Sequence, residues 1–195
     1  MHSILKKDLF FIKEHVGMFK AANNFDIFDP QTNELLLNCR EDSLGLFTKM
    51  FRFTDYKRMT PFCLEVTTPN GQKVLTVKRG ISIFLSTVDV LDENDMLVGR
   101  FKQKFFSIGG KFNVLNLQDQ VISTLRGKWT SWDFKFENNG IEYASVSKKW
   151  AGMGKELFTS ADNYMLEVFK TLGPNDPMRI MILAAVLSID MVLKE

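Results

Sequence analysis

The sequence predicts an all-β chain, an antiparallel barrel closed around its own C-terminal helix. Three observations carry this reading. Short stretches alternate apolar and polar residues between tight-turn signals, as half-buried strands do. The chain holds 18 Phe against 3 Tyr, with 10 Met besides, which implies a large dry interior. Its last helix has no polar face, so it belongs inside something.

The strands come in pairs. Phe25-Asp26-Ile27-Phe28 leads through Asp29-Pro30-Gln31-Thr32-Asn33 into Glu34-Leu35-Leu36-Leu37. Leu64-Glu65-Val66-Thr67 meets Pro69-Asn70-Gly71 before Lys73-Val74-Leu75-Thr76-Val77. The same plan recurs around Asp92-Glu93-Asn94-Asp95, around Asn116-Leu117-Gln118-Asp119 and around Asn138-Asn139-Gly140. Asn70-Gly71 and Asn139-Gly140 predict type I′ turns, whose positive φ those residues tolerate. The last three units begin at Val88, Phe112 and Phe134, spacings of 24 and 22 residues. No side-chain signature repeats strictly, so this is a meander of hairpins, not a solenoid. Closing such a sheet into a barrel buries one face and removes the edges.

The C-terminus changes character. In Gly173-Pro174-Asn175-Asp176-Pro177, Asp176 suits an N-cap and Pro177 the first helical position. From Ile180 to Ile189 nearly every residue is apolar. A membrane span needs about 20 such residues, and this run is bounded by Arg179 and Asp190. A core helix is expected, with Ile180, Leu183, Val186 and Leu187 inside the barrel and no transmembrane span. No linker interrupts the series, which predicts one domain over 1–195. Its strands would lie at about 8–170 and its helix at about 177–193.

Hydrophobic residues make up 45%, charged ones 25%, and the net charge is +2. That composition excludes a disordered tail and a strongly basic nucleic-acid binder. Cys39 and Cys63 form no Cys-x-x-Cys pair and read as small hydrophobes in a reducing compartment. The early apolar run, Leu9 to Ile12, is too short for a signal peptide, and no Asn-x-Ser/Thr sequon occurs. A cytoplasmic location, with possible peripheral membrane attachment, is the expectation.

Enzyme chemistry finds no foothold. Gly109-Gly110-Lys111 and Gly152-Met153-Gly154-Lys155 lack the upstream glycine and the following Ser/Thr of a phosphate loop. His2 and His15 have no His-x-x-x-His partner for a metal or a triad. A basic set is more suggestive. Arg100, Lys102 and Lys104 share one face of a strand, with Phe101 and Phe105 on the other. With Lys148 and Lys149 they could attract anionic head groups, at about 1 kcal/mol per near-surface cation. The plainer alternative is a solvated outer face with acids between the cations. Trp129 and Trp132 fit core or rim packing, or interfacial anchors.

One segment carries a family resemblance. Val146-Ser147-Lys148-Lys149-Trp150, followed by Phe158-Thr159-Ser160-Ala161-Asp162-Asn163-Tyr164, resembles the phospholipid scramblase signature. There an Ile-Ser-Lys-x-Trp strand precedes a Thr-Asp-Ala-Asp-Asn-Phe stretch. Leu187-Ser188-Ile189-Asp190-Met191 is similar to the family's Phe-Leu-Ile-Asp-Phe ending, and Ala22-Asn23-Asn24-Phe25-Asp26-Ile27 to its Thr-Asn-Asn-Arg-Tyr-x-Ile. The resemblance implies the tubby-like fold, shared with tubby and LURP-one-related proteins. That fold is a barrel of about twelve strands enclosing a hydrophobic helix. It also implies a non-enzymatic, lipid-interacting protein at anionic phospholipid membranes, with promotion of scrambling as its furthest implication. A soluble LURP-one-related interaction domain is the alternative. The sequence names no protein partner.

The chain departs from the family in its proposed calcium segment. Ser160 stands where the leading acid is expected, leaving Asp162 and Glu167. Calcium wants six to eight oxygen ligands, so no calcium and no other cofactor is expected. The family's cysteine-rich palmitoylation segment and proline-rich extension are not found in this sequence.

Overall fold

The structure, a computed structural model, describes residues 1–15, 24–41, 60–81, 87–103, 112–128, 133–148 and 163–193. A 3₁₀ turn over Ser3–Lys6 precedes twelve strands: β1 Leu9–Glu14, β2 Phe25–Phe28, β3 Leu35–Glu41, β4 Phe62–Thr67, β5 Lys73–Arg79 and β6 Thr87–Asp92, then β7 Leu97–Gln103, β8 Phe112–Leu115, β9 Val121–Lys128, β10 Asp133–Asn138, β11 Ile141–Ser147 and β12 Asn163–Val168. Helix α1, Met178–Leu193, ends the chain. Every strand pairs antiparallel with its sequence neighbours. The β1–β12 pair, in register at Phe11 and Met165, closes the barrel and leaves no edge. The all-β, twelve-stranded fold class is what the chain adopts.

Alternation does the sorting. On β4, Phe62, Leu64 and Val66 are buried while Cys63, Glu65 and Thr67 are partly exposed. β1 breaks the rule, since Phe10, Phe11 and Ile12 are all buried. Phe10 and Ile12 join the interior; Phe11 lies on the outer side, with Phe28 6.4 Å away between ring centroids.

All the even-to-odd connections lie at one end of the barrel, here the hairpin end. Three of them repeat one design. Gly71, Asp95 and Asp119 donate their N–H to the carbonyls of Thr68, Asp92 and Asn116. Their φ values are positive, at 85°, 61° and 57°. The side-chain oxygens of Thr68, Asp92 and Asn116 in turn accept the N–H of Gln72, Met96 and Gln120. Equivalent positions are 24 residues apart, a repeat of turn geometry rather than of side-chain sequence. This corrects the expected type I′ turn at Asn70-Gly71, because only Gly71 has positive φ. Pro69 sets the negative φ of the first central position, so Asn-Gly slides one place along and the loop is a type I turn with a bulge. Asn139 and Gly140, with φ of 50° and 80°, do make the expected two-residue turn.

Helix α1 fills the interior. Every residue from Met178 to Ser188 is buried, including Ile180, Leu183, Val186 and Leu187, and it touches β5, β6, β7 and β12. Asp176 Oδ1 accepts the Met178 N–H at 2.8 Å, the expected N-cap. Gly99 lets the helix approach, since a Cβ there would stand 2.8 Å from Met181 Cε and 2.5 Å from the Leu115 carbonyl. No helix among the described residues is long and apolar enough to cross a membrane.

Each end of the interior holds an arginine. At the hairpin end Arg179, 3% exposed, donates to the carbonyls of Gly173, Leu5, Lys7 and Leu172 and to Asp8 Oδ1 at 2.8 Å. At the other end Arg79 is buried on β5, bonded to the Thr60 carbonyl at 2.8 Å and stacked 4.9 Å from the Phe62 ring centre.

Candidate lipid-facing site

The basic set sits on β7, where strand alternation divides it as expected. Phe101 points into the core, while Arg100 and Lys102 stand on the outer wall. Register then supplies acids. Asp89 on β6 lies opposite Arg100, and its Oδ1 is 3.0 Å from Nε. Asp119, at the tip of the β8–β9 turn, comes within 3.3 Å of Lys102 Nζ and 3.7 Å of Arg100. Lys102 remains about half exposed. Lys104 lies outside the described residues.

The other sequence-predicted cations are not gathered here. Lys148 follows the end of β11, and β8, β9 and β10 stand between it and β7. Four strand spacings separate the two, about 19 Å around the wall. Lys149, Trp129, Trp132, Phe105 and the two glycine-lysine segments at 109–111 and 152–155 fall outside the described residues.

Pairing is the rule along this wall. Lys73 meets Asp95 at 2.8 Å, Arg126 meets Glu137 at 2.9 Å, and Lys135 meets Glu142 at 2.6 Å. Hydrogen bonds donated to Asp95 and Glu142 raise the Lys73 and Lys135 ammonium groups above the ordinary lysine value. The outer wall is therefore a ladder of compensated charge. Such exposed pairs contribute little to folding, because solvent screens them.

A tighter cluster joins β1, β2 and β3, and it includes His15, which no sequence motif marks. His15 Nε2 lies 2.6 Å from Asp26 Oδ2, and Arg40 donates to Asp26 Oδ1 at 2.6 Å and to the Phe25 carbonyl at 2.7 Å. Burial works to raise the Asp26 carboxyl, but the hydrogen bonds from Arg40 and His15 outweigh it and hold the group below its usual value. Cys39 is buried, its thiol pushed far up by desolvation, and Cys63 is partly exposed on β4; neither is in a disulfide.

The calcium segment is only partly in view. Ser160 and Asp162 lie outside the described residues, and Glu167 sits on β12 in register with Leu9 and Ser145. Among the described residues no three His, Cys, Asp or Glu side chains gather as metal ligands would.

A closed twelve-stranded antiparallel barrel holding an apolar helix is the tubby-like fold class expected. The comparisons agree. The Scramblase family model matches residues 5–195. A phospholipid scramblase family protein of Schizosaccharomyces pombe is 21% identical over 187 residues, covering 88% of this chain and 49% of that protein. The human phospholipid scramblase family member 5 is 26% identical over 120 residues, covering 54% and 44%. Altered inheritance rate of mitochondria protein 25 of Saccharomyces cerevisiae is 22% identical over 188 residues, covering 84% and 57%. The crystal structure of an Arabidopsis thaliana protein shares the fold at a TM-score of 0.55 and 16% identity, over 95% of this chain and 91% of that one. This chain belongs to the Scramblase family. It spans about half the length of the curated relatives it matches.

Proposed function

We propose that this chain is a scramblase-like, lipid-interacting protein that meets anionic phospholipid membranes peripherally and acts by binding rather than catalysis. The observation that carries the reading is the Scramblase match across residues 5–195. Arg100 and Lys102 are the contacts assigned to head groups, with Lys104, Lys148 and Lys149 as further candidates. Promotion of phospholipid scrambling is the activity that would follow from such contact. Calcium and other cofactors have no part in the proposal, so chelator should leave binding unchanged.

Vesicle co-sedimentation tests it. Near-surface cations contribute about 1 kcal/mol each, enough for reversible attachment and too little for permanent anchoring. The attraction fades over about 10 Å at 0.1 M salt. Phosphatidylserine vesicles should therefore pellet the protein at low salt and release it at high salt. Replacing Arg100, Lys102 and Lys148 by Ser should weaken binding without unfolding the chain. Binding to neutral vesicles that equals binding to anionic ones would sink the electrostatic reading.

A second reading is a soluble interaction domain without lipid contact. The pairing of Arg100 and Lys102 with Asp89 and Asp119 favours it, because those carboxylates already compensate the cations. No binding to phosphatidylserine vesicles even at low salt would decide for it.

A further inference from the structure

We propose that the barrel meets an anionic phospholipid surface end-on, through a ring of cations at the end opposite the hairpins. This orientation rests on the lipid-interacting reading and adds Lys13, Arg40, Lys78 and Arg126 to its contacts. Strand register builds the ring. Lys13 on β1 lies opposite Asp26 on β2, which lies opposite Asn38 on β3, and Arg40 stands two residues beyond Asn38. The same step leads from Arg40 through Glu65 and Thr76 to Lys78, and from Lys78 through Asp89 and Arg100 to Lys102. It leads on through Asn113 and Thr124 to Arg126, then through Lys135 and Ser145 to Ser147. From Ser147 it passes Met165 and Phe11 and returns to Lys13.

The row closes on itself. A climb of about 6.6 Å along the strands for every two strand spacings, about 9.6 Å, matches a strand tilt of about 35°. The six positions therefore share one height on the outer wall, neighbours about 12 Å apart. Five of the six hold Lys or Arg, and all five are exposed. Each stands within two residues of the end of its strand. The five are scattered along the chain, so only the closed barrel brings them to one level.

Pairing does not cancel the ring. Arg40, Lys102 and Arg126 meet the carboxylates of Asp26, Asp119 and Glu137. All three acids lie on the hairpin side of the ring, so each pair turns its positive end toward the far end. Lys13 and Lys78 form no ion pair among the described residues. By sequence, the segments that join odd strands to even ones carry ten Lys or Arg against four Asp or Glu, the same sign as the ring. Shape then selects the occupant. Lys13 on β1 and Lys102 on β7 are six strands apart, on opposite sides of the barrel. A flat surface touching the side of the barrel reaches one of them; a surface at its end meets the whole ring. An anionic bilayer is such a surface, and each near-surface cation adds its own attraction.

Co-sedimentation of the full chain with phosphatidylserine vesicles at low salt tests the orientation. Lys13→Gln and Lys78→Gln, a third of the circumference apart, should each weaken binding about fivefold. Lys170→Gln, at an exposed lysine of the hairpin end, should leave binding unchanged. Ser147→Lys fills the sixth position and should tighten binding about fivefold, a gain that no loss of folding imitates. Unchanged binding in that variant counts against the ring. Losses at Lys78 or Lys102 with none at Lys13 would mean side-on contact; the orientation then fails while the lipid-interacting reading stands. A loss with Lys170→Gln equal to that with Lys13→Gln would reduce the effect to net charge and overturn the ring. A wild-type chain that ignores the vesicles overturns both readings.

Discussion

Arg179 and Arg100 lie on the two sides of one barrel wall and are held in opposite ways. Arg179 is 3% exposed, and its guanidinium spends its donors on four carbonyls and on Asp8. Those partners come from the segment before β1 and from the loop before α1. Arg100 is about a third exposed and shares Asp89 and Asp119 with Lys102. Water could replace every bond Arg100 makes; it can replace few of those at Arg179. Interior charge is thus committed to folding. Wall charge is nearly neutral for folding and open to other uses.

The sharpest way to break this contrast is to remove the interior charge. Arg179→Met keeps the apolar stem but strands carbonyls at the barrel end, and should cost about 3–5 kcal/mol. Urea unfolding would measure it, with Arg100→Met as the matched wall substitution expected to cost at most about 1 kcal/mol. Comparable losses at the two positions would erase the distinction. Next in size is Leu183→Ala, at 1% exposure in the middle of the enclosed helix. The cavity should cost about 2–5 kcal/mol in the same experiment. A cost well below that would mean that the helix does not pack as the filling of the barrel.

How much of this could be read from residues depends on whether the cause is local. The Asn139-Gly140 turn and the Asp176-Pro177 helix start are set by a few adjacent residues, and both are found as expected. The Asn70-Gly71 turn departs from the type I′ expectation because of one neighbour, Pro69. β1 gives no alternating signal, because Phe11 on its outer side is covered as well as Phe10 and Ile12 on its inner side. Arg179 reads in sequence as a charge that limits an apolar run. Its role depends on backbone carbonyls from residues 5, 7, 172 and 173, which leave no mark in a side-chain pattern. The candidate site has the same limit. Alternation places Arg100 and Lys102 on one face, but their acids depend on strand register and on where a turn tip falls. Asp89 faces Arg100 only because the β6–β7 register shifts by one residue between Leu91 and Val90, and Asp119 lies 17 residues from Lys102 along the chain.

The smallest effect on folding should be the most informative about the wall. Asp119→Asn removes the carboxylate shared by Lys102 and Arg100 while keeping the side chain's shape. Asn accepts positive φ at least as well as Asp, so the turn, at φ 57°, should keep its geometry. The lost pairs are exposed, so the change in stability should stay within about 1 kcal/mol. Lys102 then faces solvent uncompensated, and Arg100 keeps only Asp89. If these cations meet phospholipid head groups, one freed charge contributes about 1 kcal/mol, which is about fivefold tighter binding to phosphatidylserine vesicles. The gain should shrink as salt is raised, because it is carried by screened charge. Adding Asp89→Asn should tighten binding again by a similar factor, and replacing Lys102 by Ser in that background should take most of the gain away. Vesicle binding that ignores all three changes would remove Arg100 and Lys102 from the lipid contact and leave the ladder as a solvated wall.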